Sequence, residues 1–134
     1  MAFIDSAGIY KKANKMVHTF ETREPLRLAR YAKIDVRFFE GKTKLLGMYC
    51  RKWRRRIMLL SPCMSPEMER MVIAHEMGHD ALHKKQASGG TSFNEFVLFD
   101  MINQTEYEAN AFAAHLLIDD VELFELMDDG CDIF

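Results

Sequence analysis

Five consecutive residues, His75, Glu76, Met77, Gly78 and His79, have the types and spacing with which a chain can grip a metal ion. Positions four apart on a helix sit one turn above each other, so the imidazoles of His75 and His79 can aim at one point. Glu76 directly follows the first histidine. There its carboxylate can lie beside the ion and take a proton from an activated water without being a ligand. The chemistry implied is metal-assisted hydrolysis by an HExxH pattern. A lone histidine on such a helix is ordinarily a core or surface residue satisfied by hydrogen bonds; the pair with Glu76 is what points to a site.

A helix must carry this pattern, and its signals are present from Met64 to His83. Ser65 can cap, Pro66 suits the first helical position, and Glu67 and Glu69 put negative charge at the positive end of the helix dipole. Met68, Val72, His75, His79 and Leu82 recur at steps of three and four, which predicts one inward stripe holding both histidines. Gly78 weakens a helix interior by about 1 kcal/mol relative to alanine, which implies close packing at that position.

A catalytic zinc commonly takes three protein ligands and keeps one position for water, so a third donor is required. A second helix is predicted over Asn103–Ile118, with Ala109, Phe112, Ala113, Leu116 and Leu117 as its apolar face. It offers Glu106 and Glu108. At about 100° per residue, Glu106 falls near the stripe of Ala109, Asn110, Ala113 and Leu117, while Glu108 is turned roughly 200° away toward Ala111 and His115. Glu106 is therefore the expected ligand, with Asn110 one turn later holding it or a ligand histidine in position. His83 lies one turn beyond His79, but stacked histidines drift about 40° per step, so it is expected at the helix end in solvent or against substrate. His115 is read the same way. Tyr107, His83, His115 and Tyr49 are the candidate donors to a developing oxyanion.

Before the metal helix, residues 5–21 read as an amphipathic helix and Pro25 opens a short second one to about Ala32. Residues 34–39 alternate as a strand, Leu45–Cys50 and Arg56–Leu60 follow as two more, and Arg51–Arg55 is expected as their hairpin loop. The fold class is thus α+β, a small three-stranded sheet packed against several helices. The run Arg51, Lys52, Trp53, Arg54, Arg55, Arg56 could grip nucleic acid, yet a solvated hairpin tip looks much the same. Without a helix-turn-helix, direct nucleic-acid binding is not expected. The segment Lys84–Thr91 is a polar connection, Phe93–Met101 is apolar and of undetermined type, and the stretch from Asp119 is acidic with a short last helix expected.

At 134 residues the chain is expected to form one domain spanning 1–134. No run approaches a membrane span and no apolar signal core opens the sequence, which predicts a soluble, cytoplasmic protein. Cys50, Cys63 and Cys131 are odd in number and widely spaced, so neither a disulfide framework nor a cysteine metal site is expected. Residues 1–60 carry 15 Lys/Arg against 5 Asp/Glu, and residues 61–134 carry 3 against 15. Such a split either pairs the halves against each other or steers a charged partner.

The stretches VIAHEMGHDALH at 72–83 and EYEANAFAAHLL at 106–117, preceded by a small sheet and an N-terminal helix, resemble the ImmA/IrrE family of metallopeptidases. The resemblance covers most of residues 5–120. It implies a zincin-like fold of the gluzincin kind, with zinc held by His75, His79 and Glu106, Glu76 as general base, and Asn110 in the ExxxN spacing of the ligand helix. It also implies an anti-repressor role in bacteria or their mobile elements: cleavage of a helix-turn-helix repressor. The family usually has a proline soon after the paired leucines; here Ile118, Asp119 and Asp120 stand there. The competing class is a metal-stabilised module that sequesters a regulator without cutting it, and Glu76→Gln discriminates the two.

Overall fold

In the computed structural model, the residues described are 6–41, 45–83, 92–93 and 104–118. The first helix, α1, runs Ser6–Phe20 and buries Ile9 and Ala13, with Met16, Val17 and Phe20 packed beside them. A second helix, α2, runs Pro25–Tyr31 and buries Pro25, Leu28 and Ala29. Its end is a six-residue Schellman turn: Lys33 N–H donates to the Arg30 carbonyl and Ile34 N–H to that of Ala29, each at 3.0 Å. Lys33 takes the left-handed conformation (φ 63°) that glycine usually supplies. The turn delivers the chain straight into β1, Asp35–Phe38.

Strands β2 (Gly47–Lys52) and β3 (Arg55–Leu60) pair antiparallel, and β1 lies parallel to β3, so β3 is inserted between its two predecessors. The three expected strands are all present. A fourth, β4 (Ser92–Phe93), adds to the free edge of β2 and gives the order β1-β3-β2-β4. Two residues are too few for any alternation to have marked it. The expected five-residue hairpin loop is also shorter: Arg51 pairs with Arg56 and Lys52 with Arg55, leaving only Trp53 and Arg54 in the turn. Both have positive φ (56° and 63°), the type I′ geometry that suits a twisted hairpin. Asn-Gly, its usual signal, is missing, which is why the turn was not visible in the sequence.

The helix that follows, α3, spans Pro66–Leu82 and is capped as the sequence predicts, with Ser65 Oγ accepting from Met68 N–H at 3.2 Å. It is not a one-striped helix. Residues Val72 to Asp80 are buried without interruption, because β2 and β3 cover one side and α4, Gln104–Leu117, the other. A helix packed on two sides has no solvent face to pattern. In turn α4 rests on α1, and the Arg23 guanidinium donates to the carbonyls of His115 (3.2 Å), Leu116 (3.0 Å) and Ile118 (3.5 Å), closing its C-terminal end.

A buried polar knot ties the sheet to the last turns of α3. Tyr49 O–H donates to Asp80 Oδ1 at 2.5 Å, and Arg56 donates to Asp80 Oδ2 at 2.9 Å and to the Ala32 carbonyl. Burial, followed by the bond to Asp80, drives the Tyr49 hydroxyl pKa far upward. Tyr49 is thus committed to Asp80 rather than held ready as an oxyanion donor. No helix among the described residues is long and apolar enough to cross a membrane. The expected acidic final helix and the polar connection at 84–91 lie outside the described residues.

Candidate metal centre

The site forms where α3 and α4 cross. At that crossing Gly78 meets Ala109: a Cβ on Gly78 would stand 2.9 Å from both the Cα and the carbonyl oxygen of Ala109. Only glycine allows this approach, as the sequence anticipated. From Ala109 the neighbouring α4 side chains fan to both sides, with Glu106 and Asn110 on one and Glu108 on the other.

On the first side, Glu106 reaches both histidines. Its Oε2 lies 2.8 Å from His75 Nε2 and its Oε1 lies 3.1 Å from His79 Nε2. One ligand atom from each of His75, His79 and Glu106 can be chosen so that all lie within 4.8 Å of one another. The imidazole planes stand nearly perpendicular, at 87° with centroids 4.9 Å apart. Behind His75, its Nδ1 stands 2.7 Å from Asn110 Oδ1. The amide oxygen can only accept, so His75 donates from Nδ1 and keeps its Nε2 lone pair for the shared point. Of the two partners expected for Asn110, Glu106 or a ligand histidine, this contact is with the histidine.

Electrostatics favour the same states. Burial pushes His79 down to about 4, against the pull of Glu106. Burial alone would raise Glu106, but its closeness to the His75 and His79 imidazoles outweighs burial and brings it to about 2. A neutral imidazole and an ionised carboxylate are the forms that offer lone pairs to a cation. Two imidazole nitrogens and one carboxylate oxygen also match the donor set of a catalytic zinc with one position left for water.

Glu76 lies beside this cluster and not within it. Its Oε1 is 3.9 Å from His75 Nε2, and its Oε2, fully buried, has no hydrogen-bond partner among the described residues. Burial, then the charge of Glu106, raises its pKa well above the usual carboxylate value. Gly47 at the start of β2 packs against the neighbouring turn of α3: a Cβ there would stand 2.5 Å from Val72 Cγ1, with Glu76 Cγ in ordinary contact at 3.4 Å.

Glu108 turns away from Glu106 as the helix geometry requires and is 4% exposed, whereas His83, expected at the helix end in solvent or against substrate, is instead buried at 1%. They meet each other, His83 Nε2 to Glu108 Oε1 at 2.8 Å. The drift of about 40° per step that argued against His83 as a ligand is what carries it past Ala109 to the Glu108 side. His115 packs edge-on against Tyr10 of α1, with ring centroids 5.4 Å apart. Tyr107 is 38% exposed.

A peptidase family model, the IrrE N-terminal-like domain, matches residues 29–130. The uncharacterized immunity region protein 2 of Bacillus phage phi105 is 29% identical over 107 residues, which is 79% of this chain and 65% of that protein. This chain therefore spans just under two thirds of the length of that relative.

Proposed function

The chain belongs to the ImmA/IrrE family of metallopeptidases, and from that premise we propose that it is a zinc-dependent endopeptidase acting on a helix-turn-helix repressor. His75, His79 and Glu106 would hold the ion, and Glu76 would serve as general base. One observation carries the reading: a buried carboxyl, Glu76, stands beside three converging donors without joining them. A structural metal site has no use for such a group; a hydrolytic one requires it.

Bound zinc supplies Lewis acidity toward a water and a peptide carbonyl. The chain's own residues supply the rest. Glu76 takes the proton that water gives up and returns it to the leaving nitrogen, a role suited to a carboxyl whose burial raises its proton affinity. Asn110 holds the His75 ring at its Nδ1. The burial of His75, Glu76 and His79 keeps bulk water from competing for that proton. Glu106, at 16% side-chain exposure, marks the side from which a peptide can approach.

The named relative belongs to a phage immunity region. That context supports a repressor as substrate and an anti-repressor role in the bacterial cytoplasm, in a mobile genetic element. The test is incubation of the zinc-loaded chain with helix-turn-helix repressors of the same genome. Wild type should cut one of them, and Glu76→Gln should keep zinc and repressor binding but lose cleavage by at least about 100-fold. A Glu76→Gln protein that still relieves repression in cells would instead favour sequestration without cutting.

A further inference from the structure

His79 divides its two ring nitrogens between neighbours on opposite sides. Nε2 stands 3.1 Å from Glu106 Oε1, and Nδ1 stands 3.0 Å from Nδ1 of His83. Beyond, His83 Nε2 is 2.8 Å from Glu108 Oε1. The chain Glu108–His83–His79 is buried along its length, with no member more than 4% exposed.

A neutral imidazole has one N–H and one lone pair, and an ionised carboxylate has only lone pairs. Glu108 must therefore receive the N–H of His83 Nε2. That leaves a lone pair on His83 Nδ1, which must face an N–H, so the proton of His79 lies on Nδ1. The His79 Nε2 lone pair is then directed at the point shared with His75 and Glu106. The opposite tautomer of His79 would satisfy Glu106 with an N–H. It would also require His83 to donate from Nδ1 and turn its Nε2 lone pair onto the Glu108 carboxylate.

We infer that His83 and Glu108 are positioning residues, which fix the tautomer and ring orientation of His79 through a two-step hydrogen-bonded relay. The two histidines of the site are thus both set from α4. Asn110 acts on His75 directly, and Glu108 acts on His79 through His83. Outer partners of this kind raise ligand basicity and typically change metal affinity by about 10–100-fold. The inference rests on the metal reading for what the Nε2 lone pair of His79 meets.

The experiment has two arms. In the first, the metal-free chain labelled with ¹⁵N-histidine is examined by long-range ¹H–¹⁵N correlation at neutral pH. The expected pattern is His79 protonated at Nδ1 and His83 at Nε2; His79 protonated at Nε2 overturns the inference. This arm needs no substitution and so does not depend on a variant folding. In the second, zinc affinity is measured by chelator competition in wild type, His83→Phe, Glu108→Gln, Glu106→Gln and the control His115→Phe, each with its helical circular dichroism. His83→Phe should weaken zinc by about 10–100-fold and Glu108→Gln by less, with His115→Phe unchanged. If Glu106→Gln abolishes tight binding but a folded His83→Phe binds like wild type, the relay is wrong and the metal reading stands. If wild type itself binds no zinc, the metal reading fails, and the relay's role at a metal fails with it.

Discussion

Glu76 is the residue whose role the fold works hardest to accommodate. A carboxyl so buried, with one oxygen lacking a hydrogen-bond partner among the described residues, is costly to ionise. Its folded pKa is raised, so the stability penalty is absent below the unfolded value of about 4.5 and grows as pH rises toward the folded value. Glu76→Gln removes that penalty. In urea titrations of the metal-free chain, the variant should therefore be more stable than wild type at pH 8, with a smaller advantage at pH 5. An advantage equal at both pH values, or reversed, would contradict the assignment. Comparing the two proteins at each pH cancels the opposite contribution of His79. That group is depressed to about 4, so it destabilises the fold as pH falls below 6.5 in both proteins. At this scale His75, Glu76, His79, Glu106 and Asn110 were legible because each follows from helical rotation over one or two turns. His83 and Glu108 were not. Their partnership depends on where two distant helices cross, and polar residues at a helix end default to solvent in any sequence reading.

Helix α3 and helix α4 are held at a distance set by one missing side chain. Gly78→Ala would gain about 1 kcal/mol of helix propensity if the position were open. The backbone of Ala109 stands in the way. The helices must separate, so the variant should instead lose about 1–3 kcal/mol of stability and bind zinc more weakly, measured by thermal unfolding and chelator competition. A stabilised variant with wild-type zinc affinity would show that the crossing does not set the site. Arg23 acts at the other end of α4. Arg23→Ala should cost about 1 kcal/mol by fraying that terminus while leaving zinc affinity unchanged, since Glu106 lies in the first turn. The helices were readable from caps and spacing, which are local. The parallel placement of β1 against β3, the addition of β4 and the Trp53–Arg54 turn were not, because strand partnership is non-local and the turn lacks its usual glycine.

Across the whole molecule the charge is uneven: the first 60 residues are strongly basic and the remainder strongly acidic. Some of this is settled internally, as Arg56 of the basic half meets Asp80 of the acidic half. The hairpin tip carries its basic residues outward, with Trp53 84% exposed between Lys52 and Arg54. If this surface steers an acidic face of the repressor, raising salt from about 50 to 500 mM should slow cleavage through slower association. A rate indifferent to salt would remove steering from the account. Before any substrate is known, the sandwich of sheet, α3 and α4 can be tested for what it is built to hold. The most direct measurement is zinc content after gel filtration against a weak chelator, in wild type, Glu106→Ala and Glu108→Ala. One equivalent in wild type, none in Glu106→Ala and a weakened but detectable fraction in Glu108→Ala are predicted. Zinc retained in full by Glu106→Ala would contradict the centre formed by His75, His79 and Glu106.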